Sequence, residues 1–233
     1  MRKFVFVSLA VLLLSTSAFA ADPAIAVSEF TNDTSAAWWY GGVGRDLAGM
    51  LTNELAATEK FRVIERSKIE AVLDEQDLAE SGRVNKATRA KIGKLTGAKY
   101  LIFANVSAFE MDTKGGGGGI SIRGISVGGK KEEAYIAVDL RVVDTTTGDV
   151  EFTRTVEARA GSGGINLGLY RGGFGGNLNK YEKTPTGKAI RGVIIEIAEY
   201  LTCAMVDKGS CLDEYAAKES SRKEKTKKSI KLD

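Results

Sequence analysis

Histidine, the side chain that acts most often in acid-base catalysis, is absent from this chain of 233 residues. Without histidine the chain lacks the commonest general base and metal ligand, and it cannot form a Ser-His-Asp triad. Its acidic pairs fall on predicted amphipathic helices, where solvated carboxylates are usual. We therefore expect no catalytic residue, no bound metal, no cofactor and a non-enzymatic function.

Two cysteines, Cys203 and Cys211, are the remaining candidates for covalent chemistry. In an oxidising compartment these thiols could form a local disulfide. The alternative is that Cys203 is a buried helical residue and Cys211 is a free thiol. A metal site built from two cysteines and no histidine is unfavourable.

An aromatic run, Trp38-Trp39-Tyr40, contains both tryptophans and precedes a glycine-rich turn at residues 41–44. These glycines lack the spacing of a dinucleotide fingerprint, so we expect a flexible helix entry rather than phosphate binding. Two interpretations of the aromatic run stay open. Either the loop folds back and buries its rings, or Trp38, Trp39 and Tyr40 are exposed once per subunit. Exposed rings would line a pore or anchor the protein at an interface.

Two glycine-rich stretches, residues 114–130 and 160–176, are the most unusual part of the composition. Between Lys114 and Gly176 lie 17 of the 27 glycines, although glycine is entropically costly to order. Each stretch alternates apolar and polar residues, which is typical of a β-hairpin with one apolar face. The alternative is a pair of disordered surface loops. The candidate membrane-hairpin residues are Ile120, Ile122, Ile125, Val127, Ile165, Leu167 and Leu169.

The length of the segments around these stretches is compatible with membrane strands. A tilted membrane strand needs roughly 9–11 residues, and the segments at about 110–135 and 154–181 could each hold two strands and a turn. Two hairpins cannot close a barrel, and lipid does not tolerate open strand edges. Membrane insertion would therefore require several copies to pool their hairpins in one oligomeric transmembrane β-barrel.

Composition and hydropathy predict three parts of the chain. Residues 1–20 combine basic residues, an apolar run and a small-residue cleavage site, as in a secretory signal peptide. Residues 21–209 are predicted to form one α/β domain that carries both hairpin insertions. Residues 210–233 are basic and predicted to be disordered. No cysteine lies near the cleavage site, so we expect no lipid anchor there.

Hydrophobic periodicity indicates an α/β sandwich, in which strands and helices alternate first and a strand meander follows. A helix is predicted from about Thr186 to Met205, opened by Thr184-Pro185, and a short helix at 86–95. The core face of the longer helix is predicted to be Ile190, Val193, Ile194, Ile197 and Leu201. Without Arg2 and Lys3 of the predicted signal peptide, the formal net charge falls from +3 to +1, which gives no general case for binding nucleic acid.

Three segments carry a resemblance to a known family. They are Arg62–Arg66 leading into Ile69–Leu73, then Thr96–Ile102, and above all Ile136–Asp144 with Thr147–Asp149. These segments and their order resemble the CsgG/HfaB family of outer-membrane secretion channels. The resemblance covers about residues 25–205.

The resemblance implies a periplasmic α/β domain in a homo-oligomeric ring, with two hairpins per subunit in a shared outer-membrane barrel. By position, residues 34–44 would form the pore constriction, with Trp38, Trp39 and Tyr40 as candidates. The implied function is passive export of an unfolded or fibre-forming, curli-like polypeptide. Its partners would be that polypeptide and periplasmic accessory proteins. The competing hypothesis is a soluble periplasmic accessory or scaffold protein of the same fold that binds cell-envelope partners.

Overall fold

The computed structural model describes residues 22–115, 120–122, 125–127, 130–161 and 183–230. These residues form a mixed α/β arrangement, which confirms the α/β part of the predicted fold class. A π-helical turn, Cys203–Asp207, joins the last two helices. In chain order the elements are β1 (Ala24–Val27), β2 (Thr31–Asn32), α1 (Val43–Ala57), β3 (Arg62–Val63), α2 (Ile69–Glu80), β4 (Tyr100–Gly115), β5 (Ile120–Ile122), β6 (Ile125–Val127), β7 (Lys130–Asp144), β8 (Val150–Gly161), α3 (Pro185–Thr202) and α4 (Cys211–Ser229).

Among the described residues, five strands form a sheet in the order β3–β1–β4–β7–β8, and β2 is its sixth strand, paired with β4 beyond the end of β1. The short strand β1 is parallel to β3 and β4, whereas β7 is antiparallel to both of its neighbours, β4 and β8. Helices separate the parallel strands, and β7 and β8 follow as a meander. This is the predicted order of an alternating first half and a strand-rich second half.

One face of the sheet is covered by helices and forms the core. Every second residue of β7 lies on this face, which follows from the two-residue period of a strand. Helix α1 contributes Leu47, Leu51 and Leu55, all buried. The opposite face is open, and Phe103 in its centre is 41% exposed. Helix α3 covers β7 and β8 with its predicted core face, of which every member is buried: Ile190, Val193, Ile194, Ile197 and Leu201.

Helix α3 begins where the sequence predicts. Pro185 occupies its first turn, and the Gly187 amide donates a hydrogen bond of 3.1 Å to Thr184 Oγ1. A threonine cap followed by proline satisfies the free amides of the first turn at little cost. The α-helix ends at Thr202, and the π-helical turn continues to Asp207.

The short helix predicted at 86–95 is wrong, because these residues form turns instead. Ile92 and Leu95 are 51% and 48% exposed, so the apolar side chains that suggested the helix find no surface to pack against. Short helices depend on such packing. The Asn85 side chain stabilises a turn in its place, by accepting a hydrogen bond from the Ala87 amide at 2.9 Å.

The predicted disorder of residues 210–233 is also wrong for the part that the structure describes, where helix α4 runs to Ser229. Its Tyr215 is 8% exposed, and its ring contacts the Tyr200 ring edge to face with centroids 5.2 Å apart. Farther along, Arg222 Nη2 lies 2.8 Å from Glu219 Oε1. One buried aromatic residue and a few ion pairs thus order a segment whose basic composition suggested disorder.

Glu54, between α1 and α3, provides a pH-dependent test of this packing. Burial raises the pKa of its carboxyl above the usual 4.5, Arg191 opposes the increase, and Glu199 adds a smaller increase. A raised pKa means that the fold disfavours the charged form, so stability is lost as pH rises through the folded-state pKa. We expect Glu54→Gln to raise the thermal unfolding midpoint modestly at pH 7, and to have no effect well below pH 4.5.

Calorimetry or circular dichroism across this pH range would measure the difference between wild type and Glu54→Gln. Glu75→Gln, on the exposed face of α2, is the matched control and should change stability little at any pH. A stabilisation by Glu54→Gln that persisted unchanged at low pH would contradict this interpretation.

Candidate functional site

The loop between β2 and α1 carries the aromatic run and is built from successive turns. Asn32 Nδ2 donates to the Thr34 carbonyl at 2.9 Å, and the Thr34 amide donates back to Asn32 Oδ1 at 3.0 Å. Asp33 joins the loop to β4, since its amide donates to the Val106 carbonyl and its carboxylate accepts from Asn105 Nδ2. Short polar side chains commonly organise turns in this way. The loop therefore holds its rings in defined positions.

Trp38 belongs to the core rather than to the surface. It is 3% exposed, and its ring contacts the Phe109 ring edge to face with centroids 5.5 Å apart. The indole Nε1 is buried without a hydrogen-bond partner in the described part of the chain. Of the two interpretations of the aromatic run, burial therefore applies to Trp38, and a lumen-facing position does not fit its geometry.

Trp39 and Tyr40 lie at the border of the core and are half-buried. The Trp39 ring rests on the edge of Trp38, with centroids 5.6 Å apart and planes at 64°. Its amide donates to the Ala36 carbonyl at 2.9 Å, which closes a turn around the buried ring. Trp38 thus anchors the loop, while Trp39 and Tyr40 keep part of their surface available to solvent or to a neighbour.

The glycines after the aromatic run have a structural function at the start of α1. Gly42 is the N-cap residue with φ of 98°, a conformation that favours glycine. A Cβ on Gly44 would lie 2.3 Å from the Phe30 carbonyl oxygen, so only glycine allows α1 to approach this segment. The expected flexible helix entry is instead a tightly packed one.

The two glycine-rich stretches leave the fold from one end of the sheet. The register pairs Gly115, the last residue of β4, with Lys130, the first of β7, and it pairs Gly161, the last residue of β8, with Glu133. The chain returns from the second stretch at the same end, because Thr186 Oγ1 lies 3.3 Å from Met111 Sδ. We call this the glycine-rich end of the sheet.

Within the first stretch, β5 and β6 form a separate antiparallel pair, with Ile120 opposite Val127 and Ile122 opposite Ile125. The four candidate hairpin residues of this stretch therefore occupy paired strand positions. The candidates of the second stretch, Ile165, Leu167 and Leu169, lie outside the described residues.

The aromatic loop lies toward the glycine-rich end. Trp38 contacts Phe109, which is in the half of β4 that approaches Gly115. Strand β2 pairs with Asn105 and Val106, farther along β4 than the positions that pair with β1. The candidate constriction residues and the departure points of both stretches are thus close to one another along the strand direction.

Cys203 and Cys211 are joined by a disulfide with an S–S distance of 2.04 Å. It connects the π-helical turn after α3 to the first residue of α4. Arg154 of β8 adds a second connection, because its guanidinium lies 4.9 Å from the Tyr200 ring centroid and 4.7 Å from the Tyr215 ring centroid. Its Nη1 also donates to the Tyr215 carbonyl at 3.1 Å. Helix α4 is therefore fixed to both α3 and β8.

Other kinds of site find little support in the described residues. No group of three or more His, Cys, Asp or Glu side chains there could hold a metal ion. No helix among those residues is both long and apolar enough to cross a membrane. A cleft of about 960 Å³ lies at the opposite end of the sheet, where Lys99, Tyr100, Phe152 and Lys208 line it, but no catalytic arrangement is visible in it.

The contacts of several residues that shape the site were not predicted from the sequence. Phe109, which buries Trp38, is 71 positions away in the chain, and nothing in the local pattern connects the two rings. The sequence around Arg154 does not distinguish it from the other charged residues of β8, although its guanidinium stacks on two tyrosines. For α4, a detectable signal was present in the apolar spacing of Cys211, Leu212 and Tyr215, which all lie on its first turns.

The chain has relatives among known proteins. The family model described as "Curli production assembly/transport component CsgG" matches residues 8–230. The curated proteins of that name from Salmonella typhimurium and Escherichia coli K12 are each 26% identical over 133 residues. Those alignments cover 55% of this chain and 48% of the relatives, so the match spans about half the length of each.

Solved structures show only distant similarity to the chain. The hypothetical protein CT253 from Chlamydia trachomatis aligns with a TM-score of 0.48 at 13% identity, over 80% of this chain and 99% of its own. Lipoprotein GNA1162 from Neisseria meningitidis aligns with a TM-score of 0.35 at 18% identity, over 63% of this chain and 89% of its own.

Proposed function

The chain belongs to the family of curli production assembly/transport components, CsgG, and on this premise we propose that it is a subunit of an outer-membrane secretion channel. The channel exports unfolded or fibre-forming, curli-like polypeptide through a homo-oligomeric pore. The α/β domain faces the periplasm, and the two glycine-rich stretches supply strands to a shared β-barrel.

One observation carries this proposal: β4, β7 and β8 all reach the glycine-rich end, and both stretches leave there. A subunit that contributes two hairpins to one barrel must send both toward the same side of its periplasmic domain. The exit points at Gly115 and Gly161 meet this requirement. Because lipid does not tolerate unpaired strand edges, each subunit needs neighbours to complete the barrel.

The constriction of this channel is the loop between β2 and α1. Trp39 and Tyr40, which are half-buried, narrow the pore, while the buried Trp38 fixes the loop against Phe109. An extended polypeptide can slide past aromatic side chains, because they offer contact area without strong directional bonds. Transport is passive in this proposal, and no catalytic step is involved. The exported polypeptide and periplasmic accessory proteins are the partners.

Truncation of the two half-buried aromatic residues tests the constriction. We expect the double variant Trp39→Ala, Tyr40→Ala to raise the single-channel conductance of the purified protein in planar lipid bilayers. The smaller side chains would widen the narrowest part of the pore, which limits the ion current. The anchor Trp38 is retained so that the loop keeps its position.

Phe103→Ala is the matched control, because Phe103 is a half-exposed aromatic residue on the open face of the sheet. This control should form channels of wild-type conductance. Channels of unchanged conductance in the double variant would exclude this loop as the constriction, and the absence of any channel in the wild type would contradict the proposed function itself.

A further inference from the structure

Helix α4 runs alongside the edge strand β8 in the same direction. Two contacts fix this alignment: Arg154 Nη1 donates to the Tyr215 carbonyl at 3.1 Å, and Arg222 Nη1 lies 4.0 Å from Glu157 Oε1. From Arg154 to Glu157 the strand extends by three residues, or about 10 Å. From Tyr215 to Arg222 the helix rises by seven residues, which is also about 10 Å. The agreement of these two lengths means that helix and strand proceed side by side toward the glycine-rich end.

The last turns of α4 therefore reach that end. From Arg222 to Ser229 the helix rises about 10 Å, and from Glu157 to Gly161 the strand extends about 13 Å. These turns carry four exposed lysines, which we call the lysine cluster: Lys223, Lys225, Lys227 and Lys228. Ile230 follows directly and is 49% exposed. The helix thus ends in a positively charged tip with an exposed apolar residue.

The lysine cluster is available for an external partner. In the described part of the chain, two of its lysines pair with carboxylates of α4 itself: Lys223 Nζ lies 3.3 Å from Glu219, and Lys228 Nζ lies 3.7 Å from Glu224. Both lysine side chains remain more than half exposed, at 64% and 81%. Exposed pairs of this kind contribute little to stability, and of the four lysines only Lys227 and Lys228 lie in the last turn, where the helix dipole favours positive charge.

Further lysines occupy the same end of the sheet. The outermost paired positions of β4 and β7 include Lys114 opposite Lys131 and Gly115 opposite Lys130. The acidic positions Asp112, Glu132 and Glu133 lie one or two pairs farther inward along the same strands. Positive residues are thus placed at the extreme edge of the glycine-rich end, with negative residues behind them.

We propose that the lysine cluster binds the anionic phosphate headgroups of the membrane surface. This inference rests on the proposed function, because it takes the glycine-rich end as the side that faces lipid. Lysine ammonium groups on flexible stems suit a fluid layer of phosphates, which offers charge without fixed geometry. Ile230 enters the headgroup boundary beside them. The cluster thereby holds the periplasmic domain against the bilayer from which its hairpins extend.

Vesicle flotation tests the proposal with the quadruple variant K223Q/K225Q/K227Q/K228Q. The probe is a phosphatidylcholine vesicle with about one third phosphatidylglycerol, compared with pure phosphatidylcholine. The matched control is K68Q/K86Q/K91Q/K94Q, which removes the same charge from exposed lysines before the start of β4. Short incubations at about 0.1 M and 0.5 M salt report the electrostatic part of binding, since salt screens exposed charges.

We expect wild type and control to bind the anionic vesicles about tenfold more strongly than the quadruple variant at low salt, with the difference much reduced at high salt. Equal binding by the quadruple variant and the control would overturn the proposal, as would equal binding of wild type to both kinds of vesicle. Negative-stain imaging of the same samples shows whether rings form, so that a failure of lipid binding can be distinguished from a failure of the channel proposal. Rings that form in the quadruple variant but bind anionic lipid weakly would support both proposals, whereas anionic binding by a ringless protein would contradict the channel alone.

Discussion

Alanine at Gly44 is expected to lower the free energy of unfolding by about 3 kcal/mol. Gly44 is the second residue of α1 and is buried. A Cβ there would lie 2.3 Å from the Phe30 carbonyl oxygen and 2.9 Å from Glu29 Cγ. The Glu29 side chain can rotate away, but the Phe30 backbone cannot. It is tied to α1 by the hydrogen bond of 3.2 Å that the Phe30 amide donates to the Gly44 carbonyl.

Gly49→Ala is the matched control, because it adds the same methyl group five residues farther along the same helix. No heavy atom lies within 4 Å of a Cβ at Gly49, so alanine should stabilise the helix by up to about 1 kcal/mol. Denaturant unfolding followed by circular dichroism measures both variants. Equal stability of Gly44→Ala and wild type would mean that α1 does not pack against Phe30 as described.

Removal of the disulfide is the second large effect that we expect. The double variant Cys203→Ser, Cys211→Ser should lose about 2 to 3 kcal/mol of stability, because the bond closes a short loop and restricts the unfolded chain. The cysteines are eight positions apart, and the bond holds the start of α4 beside α3. Its loss should also loosen α4 and make its lysine-rich part more sensitive to trypsin.

Thermal unfolding with and without reductant provides the internal control for this variant. Reductant should bring the wild type to the stability of the double variant and should leave the double variant unchanged. If reductant left the wild-type unfolding midpoint and the rate of trypsin cleavage in α4 unaffected, the disulfide would not stabilise this helix.

Local pattern was sufficient to predict the elements that pack against the core. The apolar residues at every second position from Ile136 to Val142 are buried, and the helical period of Ile190 to Leu201 predicted the buried face of α3 correctly. In strand β7 and in helix α3, the apolar side of the element is the side that is buried. That information is contained in a few neighbouring residues.

Contacts between distant segments decided the features that were predicted wrongly or left open. Trp38 is buried because Phe109 of β4 covers it, and α4 is ordered because Arg154 and Tyr200 receive Tyr215. At 86–95 the converse holds, since an amphipathic pattern finds no partner surface. In each place the deciding neighbour lies far away in the sequence, where periodicity carries no information.

The same limit applies to the candidate site. The glycine-rich stretches were recognisable from composition, but their departure from one end of the sheet depends on the pairing register of β4, β7 and β8. The packing function of Gly44 likewise depends on how closely α1 approaches Phe30. Neither distance is encoded in the glycine pattern itself.

Fractionation of cells that express the protein, with a carbonate wash of the outer membrane and negative-stain imaging of the detergent extract, tests the channel proposal most directly. The proposal predicts that the protein stays in the washed outer membrane and appears as ring-shaped particles with a central pore. A small species recovered entirely from the soluble periplasm would contradict it and would identify the α/β domain as an accessory protein of the cell envelope.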